Sequence, residues 1–149
     1  HKSKTRGSKM EDVVKRKISK DGVLTVTLNR PESLNSLNYE LVMGVISAFD
    51  EANSNDDIRS VILTGEGRGF CSGADLTGGG WPNEPEWSAG ESAANSMIIG
   101  MNPMIKKIVN CPKPVVNAIN GVAAGGGAGS GGGSNGASAS RTRSSCCRS

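Results

Sequence analysis

Two glycine-rich runs hold the chemistry that this sequence can offer. The first is residues 69–76, GFCSGADL, and the second is residues 120–127, NGVAAGGG. Each follows a short apolar run with the β-branched residues of a buried strand, 60–64 in one case and 115–119 in the other. Glycines after a strand release backbone N–H groups from the ladder and let a ligand come close to the main chain. Two such loops side by side can aim two N–H donors at one oxygen, which is what an oxyanion or enolate needs. On spacing alone, a pair of plain tight turns is the simpler account, and both readings stay open at this point.

Other chemistries fare worse. The one histidine is His1, outside the body of the chain, so Ser-His-Asp and Cys-His catalysis and a His-based metal site are not expected. Glu91 is the last acidic residue, and no Walker A pattern occurs. Two G-x-G-x-x-G matches, Gly127/Gly129/Gly132 and Gly131/Gly133/Gly136, sit in low-complexity sequence with no amphipathic helix behind them, so they lack the context of a dinucleotide site. Cys71 and Cys111 lie in apolar surroundings and read as small buried hydrophobes, while Cys146 and Cys147 are neighbours in a polar segment. No C-x-x-C occurs, and a reducing compartment is the simpler setting.

The loops need a scaffold, and the periodicities supply one. Val13 to Ile18 and Val23 to Leu28 alternate about a turn at Lys20, Asp21 and Gly22, which predicts an antiparallel hairpin. Leu37, Leu41, Val45, Phe49 and Ala52 recur at helical spacing, with Asn35, Ser36 or Asn38 available as the cap. Strand 60–64 follows. Residues 77–90 read as a long exposed excursion. Helical spacing returns from about Glu91 to Val109, with Pro103 expected to kink or split it. Strand 115–119 then leads into the second glycine run. Strands alternating with helices indicate an α/β architecture with parallel strands.

Charge divides the 149 residues into three. Residues 1–20 carry eight Lys or Arg against two acids, residues 130–149 carry three Arg and no acid, and residues 21–129 carry six bases against twelve acids. The body is therefore acidic, which argues against a nucleic-acid partner. Residues 1–10 are expected to be a flexible basic segment and 11–129 the folded domain. Residues 130–149, built from Ser, Gly, Ala, Asn, Thr, Cys and Arg, are expected to be a disordered tail. No apolar run reaches the roughly 18 residues of a membrane span, and no secretory h-region opens the sequence. The expected setting is intracellular, in the cytoplasm or an organelle matrix such as that of a mitochondrion or peroxisome.

Three segments in order resemble the crotonase superfamily, the enoyl-CoA hydratase/isomerase family: residues 28–37, LNRPESLNSL; residues 69–76; and residues 111–127, CPKPVVNAINGVAAGGG. With the strand at 61–65 between them, the similarity covers residues 13–129, the N-terminal part of such a protein. The resemblance implies a ββα spiral fold, here truncated and with disordered ends. It implies that the Ala74 and Gly126 amides form an oxyanion hole for an acyl-CoA thioester carbonyl. Ser33 and Leu34 would lie near the CoA moiety, and Ala74, Asp75 and Leu76 would line the pantetheine path. For Asp75, bracing the loop is as good a reading as contact with the ligand. No cofactor is implied, because coenzyme A enters as part of the substrate.

The sequence departs from the family in three places. Hydratases carry an acid/base glutamate two residues after the last glycine of the second loop, where this chain has Gly129. A second carboxylate comes further on, where only Ser, Gly and Arg follow here. The C-terminal helices that complete the pocket and build a homo-oligomer have no counterpart, so this chain is not expected to form one. Two functions follow: a crotonase-type enzyme represented by its N-terminal portion, or a non-catalytic acyl-CoA-binding or interaction module. A nucleotide-binding loop protein is a weaker third.

Overall fold

The hairpin expected around Gly22 opens the fold. The structure, a computed structural model, describes residues 13–75, 77, 79–82, 84, 86–124 and the backbone of 138–140. Strands β1 (Val14–Ile18) and β2 (Val23–Leu28) pair antiparallel, with Ile18 opposite Leu24 and Val14 opposite Leu28. Gly22 sits at φ 82°, and its N–H donates to the Ser19 carbonyl at 3.1 Å. A Cβ there would lie 2.6 Å from the Asp57 carbonyl oxygen, so glycine is required for space as well as for its backbone angle.

β2 then pairs parallel with β3 (Ser60–Gly65), and β3 pairs parallel with β5 (Val115–Ile119). A parallel neighbour needs a crossover. The first is helix α1 (Tyr39–Ser54), and the second is the helical run from Ala89 to Val109. Asn38 caps α1, its side-chain oxygen accepting from the Leu41 N–H at 2.9 Å. Leu41, Val42, Val45, Ala48, Phe49 and Ala52 form its buried stripe. That stripe meets one face of the sheet, where the register lines up Leu24, Val61 and Val115 in one row and Val26 and Leu63 in the next, all buried. Strands β3 and β5 were expected to be buried on both faces. The opposite row, Thr25, Ile62 and Val116, is only half-buried. Both crossover helices join the same core cluster as the buried rows, which leaves the second face less covered.

The second crossover stays helical through Pro103, which was expected to kink or split it, and a π turn ahead of that residue takes up the change. Helix α2 (Ala89–Ser96) starts from a capping box between Ser88 and Glu91. A π turn (Met97–Met101) follows, in which the Asn102 N–H donates to the Met97 carbonyl, and helix α3 (Asn102–Val109) continues from it. The wider turn takes up the register just before a residue that has no N–H to give. It also presents Gly100, where a Cβ would lie 2.2 Å from the Trp81 ring. Trp81 fills that notch, packs against the core and meets Tyr39 edge to face at 5.6 Å. The 77–90 stretch is thus not a wholly exposed excursion. One aromatic side chain anchors it, and the Tyr39 N–H binds the Gly79 carbonyl at 2.7 Å.

Within the segment expected to lack structure, Ser138–Ser140 is described, and its backbone forms a short strand β7, parallel to β5. The sheet order is β1-β2-β3-β5-β7. Pairing at a sheet edge uses main-chain groups alone, so it does not need the apolar side chains that this segment lacks. The other residues of 130–149, and residues 1–10, lie outside the described ones. A second small sheet joins β4 (Gly69–Cys71) to β6 (Val122–Ala123) in parallel. It forms where the two glycine-rich runs leave the main sheet.

Candidate functional site

Because β3 and β5 are parallel neighbours, their C-terminal ends deliver both runs to the same rim. There the runs are stitched together. Gly69 pairs with Val122, Cys71 pairs with Ala123, and the Ala124 N–H donates to the Cys71 carbonyl at 3.0 Å. Gly121 makes this approach possible, since the Arg68 carbonyl occupies the space a Cβ would take.

The first run continues to Ala74, which bridges Leu37 in parallel fashion. The bridge uses the Gly73 carbonyl, bound by the Leu37 N–H at 2.7 Å, and the Asp75 N–H, which binds the Leu37 carbonyl at 3.0 Å. In a parallel bridge the flanking groups make the bonds, and the central residue turns its own N–H the other way. Ala74 is exposed, and its N–H meets no backbone carbonyl among the described residues.

A turn holds the floor of this rim. Pro31–Ser33 forms one 3-10 turn, after which Leu34 and Asn35 both adopt left-handed backbone angles, φ 52° and 56°. For a leucine this costs on the order of 1–2 kcal/mol, and such strain persists only where the surroundings enforce it. Here Asn35, fully buried, does so. Its Oδ1 accepts from the Arg30 N–H at 2.7 Å, while its Nδ2 donates to the carbonyls of Glu66 at 3.1 Å and Gly69 at 2.8 Å. The turn is also tied to the first run. The Ser72 N–H donates to the Leu34 carbonyl at 3.0 Å, and the Ser72 hydroxyl donates to the Ser33 carbonyl at 3.2 Å. Ser33 and Leu34 are therefore tied to Ser72, two residues before Ala74. From the second run, the Asn120 Oδ1 accepts from the Gly65 N–H at 3.2 Å, and its Nδ2 donates to Gly67 and Gly69 carbonyls at 2.8 and 3.2 Å.

Asp75 follows Ala74 and is braced on both oxygens. Oδ1 accepts from the Thr77 N–H at 2.9 Å and from its hydroxyl at 2.5 Å, and Oδ2 faces the Arg30 guanidinium at 3.1 Å. The Thr77 hydroxyl and amide, with Arg30 adding to them, hold this carboxyl below the usual aspartate range. Arg30 is itself fixed by the Ser36 carbonyl at 2.7 Å. A bare carboxylate one residue from Ala74 would oppose a developing negative charge, and the guanidinium offsets it. Arg30, Asp75 and Thr77 line a cleft of about 330 Å³ with Asn38, Tyr39 and Gly79. Cys71, behind the rim, is fully buried, and burial pushes its thiol up, away from the thiolate form. Leu76 and Gly126 lie outside the described residues. Among the described residues no group of three or more His, Cys, Asp or Glu could hold a metal ion, and no helix is long and apolar enough to cross a membrane.

Sequence reading named Ser33, Leu34, Ala74 and Asp75 but not the residues that fix them. Arg30, Asn35, Thr77 and Asn120 carried one usable signal: Asn35-Ser36 and Asn120-Gly121 are turn-type pairs at the edges of apolar runs.

The family model described as enoyl-CoA hydratase/isomerase matches residues 19–131. The chain belongs to the enoyl-CoA hydratase/isomerase family. It is 43% identical over 107 residues to 1,2-epoxyphenylacetyl-CoA isomerase of Escherichia coli (strain K12), covering 71% of this chain and 39% of that protein. It is 35% identical over 118 residues to probable enoyl-CoA hydratase 1, peroxisomal, of Arabidopsis thaliana, covering 76% of this chain and 39% of that protein. Among solved structures, the enoyl-CoA hydratase from Bacillus anthracis shares the fold with a TM-score of 0.73 at 28% identity, over 84% of this chain and 46% of that one. The chain spans about two fifths of the length of these curated relatives. The crotonase-type fold expected from the three segments is thus the fold of this family member, and the matched region is the family's N-terminal part.

Proposed function

We propose that this chain is the thioester-polarising part of a crotonase-type enzyme acting on an acyl-CoA. The Ala74 N–H, with that of Gly126, binds the thioester carbonyl and stabilises the enolate that forms from it. Ser33 and Leu34 take the CoA side, and residues 74–76 follow the pantetheine arm. The observation that carries the reading is the Leu37–Ala74 bridge, which engages the groups on either side of Ala74 and leaves its exposed N–H without a carbonyl partner among the described residues. Preorganised donors of this kind act where charge develops, and each contributes about 10²–10³-fold to rate. Coenzyme A is part of the substrate, so no separate cofactor is invoked.

One observation favours a second reading, that these residues bind acyl-CoA without turning it over. Asp75 is the carboxylate next to the proposed donor, and both its oxygens are engaged by Thr77 and Arg30, with its proton affinity lowered. It is thus a poor base. Titrating the protein with an acyl-CoA, with its alkyl thioether analogue, which lacks the carbonyl, and with NAD tests the reading. Acyl-CoA binding tighter than both of the others supports it. Equal binding of thioester and thioether removes the carbonyl site, and preference for NAD removes the acyl-CoA reading altogether.

A further inference from the structure

We infer that Asn120 and Asn35 are positioning residues for the thioester site, acting through the shared Gly69 carbonyl. The inference rests on the acyl-CoA reading above. Gly69 O is a node at which three segments meet. Asn35 reaches it at 2.8 Å from the 30–36 turn, Asn120 reaches it at 3.2 Å from the second glycine run, and Gly69 itself begins β4. β4 leads to Ala74 on one side and is paired with Val122–Ala123 on the other. The two carboxamides therefore set how far the Ala74 limb stands from the Val122 limb and from Ser33 and Leu34. Neither needs to touch the ligand to do so.

The chemistry of the clamp explains why asparagine is used twice. Each side chain presents an acceptor to one N–H and donors to two carbonyls, in a region where the backbones are too close for larger groups. A Cβ on Gly65 would stand 2.6 Å from the Gly69 carbonyl oxygen and 2.8 Å from the Asn35 Nδ2. Replacing Asn120 by Asp keeps shape and the acceptor for Gly65 but sets a carboxylate oxygen against the carbonyls of Gly67 and Gly69, which drives the limbs apart.

The test is isotope-edited infrared difference spectroscopy of the full chain with butyryl-CoA carrying ¹³C at the thioester carbonyl. A held carbonyl absorbs at lower frequency than a free one. In the wild type the band moves down on binding. In Asn120→Asp and Asn120→Ala most of that shift is lost, while affinity for coenzyme A alone is unchanged. Asn55→Ala, which removes a turn carboxamide serving Asp57, leaves the band where the wild type has it. A variant that fails a circular-dichroism fold check is replaced by Asn120→Ser, whose hydroxyl is too short to span to Gly69, with the same expectation. Folded Asn120 variants with the wild-type band position overturn the positioning role and leave the acyl-CoA reading standing. A wild-type band that does not move, or no binding at all, overturns that reading and the inference with it.

Discussion

The backbones of Gly121 and Arg68 touch: a Cβ built on Gly121 would lie 1.9 Å from the Arg68 carbonyl oxygen and 2.8 Å from its carbon. No side-chain rotation relieves a clash of backbone with backbone, so Gly121→Ala must separate β4 from β6. The expected cost is about 3 kcal/mol or more, at the upper end for overpacking. Gly90→Ala is the matched control. Its Cβ would meet nothing nearer than the Ser88 hydroxyl at 3.9 Å, and within α2 the change should stabilise by up to about 1 kcal/mol. Urea unfolding of both variants checks the pair, and a Gly121→Ala variant as stable as the wild type would remove the close contact between the limbs.

Asn35, itself buried, combines a left-handed backbone with three side-chain hydrogen bonds, and two substitutions separate these contributions. Asn35→Ala leaves the Arg30 N–H and the Glu66 carbonyl without that partner and places a Cβ at φ 56°. At about 1–3 kcal/mol per orphaned buried group, it should destabilise by about 3 kcal/mol or more. Asn35→Gly loses the same bonds but not the backbone preference, and should be better than the alanine variant by about 1 kcal/mol. Equal denaturation midpoints for the two would show that the backbone angle contributes nothing.

The Asp75 brace gives a pH signature. Its folded-state carboxyl is held low, first by the Thr77 hydroxyl and amide and further by Arg30. Such a group contributes stability that is complete above the ordinary aspartate range, near about pH 4, and that fades as pH falls through the lowered folded value. The stability difference between wild type and Asp75→Asn should therefore be flat above about pH 5 and shrink in more acidic solution. Urea titrations across that window measure it. A difference that widens toward acid would mean the carboxylate is not held by these partners.

Much of this could be read from residue order, and the exceptions have a common cause. The hairpin about Gly22 and the stripe from Leu41 to Ala52 are set by local periodicity, and the parallel direction of β3 and β5 follows from the helices that alternate with the strands, all of which a single sequence carries. A disturbance of the helical run near Pro103 was legible for the same reason, because a missing N–H is a property of one residue. What was not legible depends on pairs distant in sequence. Trp81 docks only because a π turn brings Gly100 beneath it, 19 positions away. Asn120 matters because Gly65, Gly67 and Gly69 lie across from it, and nothing in its own neighbourhood says so. Ser138–Ser140 pairs with β5 through its backbone, to which a reading of side-chain composition is blind.

The enzyme and binding-module readings separate on turnover. Asp75, the carboxylate next to the proposed carbonyl donor, is engaged by Thr77 and Arg30 and so is a poor acid or base for the proposed site. General acid/base groups contribute about 10²–10⁴-fold. Followed by loss of the conjugated thioester absorbance, hydration of a short enoyl-CoA by these 149 residues should fall more than tenfold below a typical turnover of about 10 s⁻¹. Turnover within tenfold of that typical value would contradict the binding-module reading and call for an acid/base group other than Asp75.

The Ala74 N–H, proposed as the donor to an acyl-CoA carbonyl, can be watched directly through its amide proton. In a ¹⁵N-labelled sample, adding butyryl-CoA should move the Ala74 amide proton resonance downfield, as a new hydrogen bond to oxygen requires. The butyl thioether of coenzyme A, identical except for the missing oxygen, should leave that resonance near its free position while still perturbing residues around Ser33 and Leu34. If both ligands move Ala74 equally, or neither does while the acyl-CoA binds, the amide does not hold the carbonyl and the account of this site is wrong.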